Sequence, residues 1–229
     1  MRAKLEVLAL VLGFIGLFGT ITVTALPMWR VSAFIGANLI VMEELWEGLW
    51  MNCYSQANIK MQCKVYDSLL ILPPELQAAR GLMCVSIVLV VMSIFITGCP
   101  TQKSNLCGDN TNSKNTTLAL GGSLYLLSFL TTLIPVSWVG HSVISNFYNP
   151  TVLDADKREL GKALFIGWAT SGILLITGII LLFNYSKRRS KEEEPYTDAY
   201  LIAEMDVQKE ESVYLERTPS SFHKHQEYV

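Results

Sequence analysis

Four stretches of the 229-residue chain, 7–26, 81–99, 118–140 and 163–185, contain no Asp, Glu, Lys or Arg. Each is long enough to cross a hydrocarbon core of ~30 Å, which takes ~20 helical residues. The bilayer core offers backbone N–H and C=O groups no water, so runs of this kind are expected to be helices and not strands. The same absence argues against a transporter with a binding site inside the bundle, because intramembrane ionisable residues are the usual mark of one. Any ion path is then expected along the outer loops, between molecules. Histidine is also scarce: His141, His223 and His225 lie outside the four runs. No His, Cys and carboxylate set converges on one face, so no enzyme activity, catalytic residue, metal or cofactor is expected. The His223-Lys-His225 spacing reads as part of a solvated tail. No nucleic-acid partner is expected.

With the apolar runs fixed, the placement of charge gives orientation. Lys and Arg close to span ends mark the cytoplasmic side. Arg2 and Lys4 precede the first run, and Lys187, Arg188, Arg189 and Lys191 follow the fourth. Four spans put both termini on one face, so both clusters predict a cytoplasmic N-terminus (1–6) and tail (186–229). The connection 100–117 is then cytoplasmic, and the loops 27–80 and 141–162 are extracellular. Reading the first run as a cleaved signal peptide fits poorly, since a signal core has only ~7–15 apolar residues.

Cysteine usage tests this topology independently, because disulfides persist only on the oxidising side. Cys53 and Cys63 share the first outer loop, Cys84 and Cys99 fall in the second run, and Cys107 falls in the inner loop. The expected bridge is therefore Cys53–Cys63, and closing so short a loop stabilises by roughly 3 kcal/mol.

The first outer loop is too long for a simple connector. Its β-prone runs 30–35 and 38–42, separated by Gly36-Ala37, read as a hairpin, and 47–53 and 61–66 read as two more strands carrying the cysteines. Pro73-Pro74 followed by Glu75 to Ala79 reads as a helix start leading into the second span. In the second outer loop the third helix is expected to continue over 139–148, with a bend at Pro135. Phe147 and Tyr148 then stand at its tip beside the turn-forming Asn149-Pro150, a placement that suggests contact. From Ser186 the composition turns charged and polar, and a disordered tail is expected. It ends in Tyr228-Val229, a free carboxylate beside a branched apolar side chain, which suits a PDZ-type groove.

Trp29, Gly48-Leu49-Trp50, Cys53, Cys63 and Arg80 together form an arrangement that resembles the claudin signature. The resemblance runs from the first span to the fourth, taking in 147–150 and 159–161, and extends to the terminal Tyr-Val. Segments 56–63 and 135–138 narrow the likeness to a subset of the family. The resemblance implies an all-α transmembrane fold, a left-handed four-helix bundle with a small extracellular antiparallel β-sheet. It further implies a tight-junction strand protein that polymerises with other claudins in cis and in trans, seals the paracellular space and sets its ion permeability. Implied partners are those claudins, PDZ scaffolds of the zonula occludens type and membrane lipid.

By the same resemblance, Leu69 matches the knob of the cis contact, and Phe147, Tyr148 and Leu160 match its receiving pocket. The residue after the second signature cysteine is Lys64, which the resemblance places in the pore. A fixed positive charge there favours anions or bars cations. The summed charge of the loop opposes this, with Glu43, Glu44, Glu47, Asp67 and Glu75 against Arg30, Lys60 and Lys64. Screening over ~8 Å leaves only nearby charges effective.

The sequence also departs from the family pattern. No cysteine follows the fourth span, which leaves Cys99 and Cys107 as the candidates for palmitoylation, and the 149–153 segment only partly matches the motif used by clostridial enterotoxin. The alternative reading is a peripheral-myelin-type regulatory tetraspan without a sealing function. That type carries a glycosylation sequon outside, and none occurs between Trp29 and Arg80.

Overall fold

The computed structural model describes residues 2–33, 44–56, 59–68, 72–98 and 111–217. The Gly36-Ala37 hairpin and the sites expected at Leu69, Cys99, Cys107, Tyr228 and Val229 lie outside the described residues.

Four α-helices are found among the described residues: α1 (Arg2–Ala25), α2 (Pro74–Gly98), α3 (Thr111–Tyr148) and α4 (Lys162–Arg217). Each contains a segment long and apolar enough to cross a membrane: Lys4–Ala25, Pro74–Gly98, Asn115–Tyr148 and Lys162–Ser190. These reproduce the four charge-free runs and lengthen them. The α2 helix starts at Pro74 because proline tolerates the first helical position, and the amides of Leu76 and Gln77 both donate to the carbonyl of Pro73, at 3.0 and 3.1 Å. Pro135 lies inside α3. At 38 residues and a rise of ~1.5 Å each, α3 is nearly twice as long as a ~30 Å hydrocarbon core requires. Its last turns therefore project past one end of the bundle.

The chain divides into two compact units, Met1–Tyr185 and Ser186–Val229. In the second, the described residues are helical to Arg217, where composition suggests a disordered tail. Glu, Lys and Arg account for 13 of the 32 residues 186–217, and they are strong helix formers by local propensity.

Within the first unit, α2 and α3 are joined by buried hydroxyls as well as by apolar packing. Ser86 Oγ lies 2.7 Å from Thr132 Oγ1, and Ser93 Oγ donates to the carbonyl of Gly121 at 2.8 Å. Between helices in lipid, hydrogen bonds of this kind contribute on average about 0.6 kcal/mol each. Large side chains such as Phe18, Phe95 and Phe183 face outward, which suits an apolar solvent.

At one end of the bundle stands an antiparallel sheet of order β4-β3-β2-β1-β5. Its strands are β1 (Arg30–Ser32), β2 (Glu44–Glu47), β3 (Met51–Gln56), β4 (Ile59–Val65) and β5 (Arg158–Leu160). Two features depart from the expected strands. The run 47–53 is divided: β2 stops at Glu47, the chain turns through Gly48-Leu49-Trp50, and β3 begins at Met51, with the Gly48 amide donating to the Met51 carbonyl at 3.0 Å. The second loop supplies a strand of its own, β5, which pairs with β1 through Arg30↔Leu160, Val31↔Glu159 and Ser32↔Arg158.

Candidate functional site

The signature residues meet where the sheet joins the bundle. Trp29 is fully buried, and its indole Nε1 donates to the carbonyl of Val23 at 2.9 Å, in the last turns of α1. Its backbone is held on both sides: the amide donates to Glu47 at 3.0 Å, and the carbonyl accepts from Gly161 at 3.1 Å. Leu49 is also fully buried, and both side chains share a core with Leu76 and Met83 of α2, Val136 and Val139 of α3, and Leu164 of α4. Two glycines allow this approach. A Cβ on Gly48 would overlap the backbone of Pro27, and one on Gly161 would overlap the carbonyl of Met28.

Arg80 closes the joint from the side of α2. Its Nε donates to the carbonyl of Leu49, and its guanidinium carbon lies 5.1 Å from the ring centre of Trp50 and 5.3 Å from that of Tyr66. A planar guanidinium can donate in its own plane and stack on ring faces together, which a lysine ammonium cannot. Tyr66 completes the clamp by donating its hydroxyl to the carbonyl of Gly48 at 3.3 Å. Burial pushes the Tyr66 phenol above its ordinary range and the Glu47 carboxylate pushes it further, while Arg80 and Arg30 pull it back. The Gly-Leu-Trp motif is thus a turn whose carbonyls are gripped by Arg80 and Tyr66.

Cys53 and Cys63 are register partners on β3 and β4 and form a disulfide. Two ion pairs tie the sheet further. Arg30 Nη2 lies 3.6 Å from Glu75 Oε2 with both side chains largely buried, and Ser142 of α3 donates to Glu75 Oε1 at 2.5 Å. Arg158 Nε donates to Glu47 Oε1 at 3.1 Å, linking β5 to β2. In the sequence, Arg30, Glu47 and Glu75 are simply charges of the first outer loop and its exit. The folded chain pairs them in the sheet and its base, so the sum is a poor guide to the field outside.

Lys64 sits on β4 with its side chain exposed, opposite Asn52, and its ammonium lies 2.5 Å from Asp67 Oδ2. Farther along the sheet, Phe147, Tyr148 and Leu160 line one cavity of about 470 Å³ with Val143, Ile144 and Phe165, completed by Arg158 and Glu159. Phe147 and Tyr148 meet edge to face at 5.5 Å, and the Lys157 ammonium stands 6.0 Å from the Phe147 ring centre. Tyr148 remains 79% exposed. The three residues that the resemblance assigns to one receiving pocket are therefore neighbours. What the sequence did not reveal is that β5 carries Leu160 to the projecting end of α3.

Comparison with known proteins adds to this geometry. The PMP-22/EMP/MP20/Claudin family model matches residues 3–181. Mouse Claudin-8 is 53% identical over 177 residues, covering 77% of this chain and 78% of its own. Pig Claudin-17 is 47% identical over 192 residues, covering 84% and 85%. Human Claudin-4 is 43% identical over 199 residues, covering 87% and 93%. The family description names PMP-22 beside the claudins, so it does not separate the two readings, but these relatives are claudins. With the Trp29, Gly48-Leu49-Trp50 and Arg80 joint intact, the chain belongs to the PMP-22/EMP/MP20/Claudin family, as one of its claudins.

Proposed function

We propose that this protein is a strand-forming constituent of tight junctions, polymerising with other claudins in cis and in trans to seal the paracellular space and set its ion permeability. The observation that carries the reading is the apolar cavity of Phe147, Tyr148 and Leu160 at the projecting end of α3. Apolar groups exposed beyond the membrane-spanning part of a helix are a contact surface awaiting a partner, and a cavity of about 470 Å³ takes a protruding side chain. Leu69 is the proposed knob from the neighbouring molecule. In this reading the sheet and its disulfide face the extracellular space, where a disulfide persists, and both termini are cytoplasmic. Tyr228-Val229 engages PDZ scaffolds of the zonula occludens type, and acylation at Cys99 or Cys107 adds to lipid anchoring.

Expression in fibroblasts that lack junctions tests the reading directly. Strands at cell contacts in freeze-fracture images are the expected result, with loss of strands in Leu160→Asp and Leu69→Asp variants that still reach the surface. A diffuse or vesicular distribution of the unaltered chain would support the peripheral-myelin type of role instead.

Within the strand, Lys64 is proposed to line the ion path and to favour anions or bar cations. Its support is position: it is an exposed cation on the edge strand β4. Lys64→Asp in an epithelial monolayer is expected to shift the dilution potential toward sodium; an unchanged potential removes Lys64 from the path.

A further inference from the structure

The ammonium of Lys64 does not act alone. Asp67 Oδ2 lies 2.5 Å from it, and the two side chains are 75% and 69% exposed. The backbone explains why an acid three residues downstream returns to this lysine. Strand β4 ends at Val65, and the next residue is fixed twice, by its amide to the Trp50 carbonyl at 3.4 Å and by the Tyr66 hydroxyl to the Gly48 carbonyl. Arg80 stacks on the Tyr66 ring. Held in this way, the chain turns directly after Tyr66 and sets the Asp67 carboxylate against the Lys64 ammonium.

We propose that Asp67 is a specificity-determining residue, which sets how strongly Lys64 selects by charge. The proposal rests on the reading that Lys64 lines the ion path. A lone unit charge about 6 Å from a monovalent ion in water changes that ion's local concentration by roughly threefold, in opposite senses for anion and cation. A carboxylate in contact with the ammonium converts the charge into a dipole and cancels most of this effect. The two ion pairs described above, Arg30 with Glu75 and Arg158 with Glu47, are enclosed by packing. The Lys64–Asp67 pair is open to solvent, where a passing ion meets its field. An exposed pair contributes almost nothing to stability, so it can be broken without disturbing the fold.

The test uses the full chain in an epithelial monolayer of low intrinsic claudin content. NaCl dilution potentials would be measured for the unaltered protein, Asp67→Asn, Asp67→Glu, Lys64→Gln and the Lys64→Gln/Asp67→Asn pair, each at matched surface abundance. Asp67→Asn is expected to raise PCl/PNa by up to about ninefold, threefold for each ion in opposite senses, the size of one uncovered charge. Asp67→Glu keeps the ratio, Lys64→Gln lowers it, and the double variant falls between Lys64→Gln and Asp67→Asn. If Lys64→Gln shifts the ratio and Asp67→Asn does not, Asp67 has no part in selection, while Lys64 keeps its place in the path. If Lys64→Gln changes nothing, both ideas fall. Equal shifts in Asp67→Asn and Asp67→Glu would trace the effect to loop conformation and overturn the proposal.

Discussion

The indole of Trp29 is hydrogen-bonded to the carbonyl of Val23, six residues earlier in the same chain. The first signature residue thus caps the helix it follows while its ring fills the centre of the joint. Trp29→Phe keeps much of the ring and leaves a buried carbonyl short of a donor, an expected cost of about 1–3 kcal/mol. Trp29→Ala also opens a cavity and is expected to cost about 3–5 kcal/mol. Thermal unfolding in detergent, followed by tryptophan fluorescence or retained monodispersity, should rank the two variants in that order below the unaltered protein.

Arg80 gives a second prediction, because its three contacts need a planar cation. Arg80→Lys preserves charge and loses both the in-plane donation and the stacking, so it is expected to fall close to Arg80→Ala. A loss of about 1–3 kcal/mol fits one charge-assisted hydrogen bond and its rings. Faster proteolysis at the Gly48-Leu49-Trp50 turn would report the freed motif; equal resistance in Arg80→Lys would refute the need for planarity.

The Arg30–Glu75 pair is nearly enclosed. Glu75→Gln alone leaves the guanidinium without its countercharge, and breaking one side of a buried pair costs about 3–5 kcal/mol. Replacing both, as Arg30→Met with Glu75→Leu, is expected to recover much of that loss. A double-mutant cycle on the unfolding midpoint checks the sign of the coupling.

Alkaline pH should act through Tyr66. Its phenol titrates higher in the folded chain than when unfolded, chiefly because burial disfavours the phenolate. The associated stability is therefore fully present below the unfolded value of about 10 and is lost as pH rises through the folded value. Between pH 9 and 11.5 the unfolding midpoint of the unaltered protein should fall more steeply than that of Tyr66→Phe, and parallel curves would exclude this contribution.

Gly161→Ala should fail for a steric reason, since the added methyl meets the Met28 carbonyl with no flexible side chain to move. The expected result is separation of β5 from β1 and low surface abundance. Gly81→Ala, which has open space around it, is the control.

The parts legible in the sequence were those with a strong local cause. Four charge-free runs can only be spanning helices, and two cysteines on one loop can pair. The start of α2 was legible from Pro73-Pro74, and the continuation of α3 to Tyr148 from the 139–148 stretch. Strand β5 escaped because Arg158–Leu160 is three residues long, too short for alternation to register. The turn at Gly48 escaped because what restricts that position to glycine is the backbone of Pro27, far away in sequence. Pairing of Arg30 with Glu75 and of Arg158 with Glu47 was hidden for the same reason: each joins residues on different elements, and a sum over a loop contains no geometry.

The pairing of β5 with β1 has a consequence for biosynthesis. Strand β1 follows the first span directly, whereas β5 arrives only after the third helix has been made. Until then β1 presents an open edge, and the carbonyl of Trp29 lacks its Gly161 donor. Closing that edge requires β5 to reach the same side as β1. A chain misinserted at the third span would carry β5 to the opposite side and leave that edge of β1 unpaired.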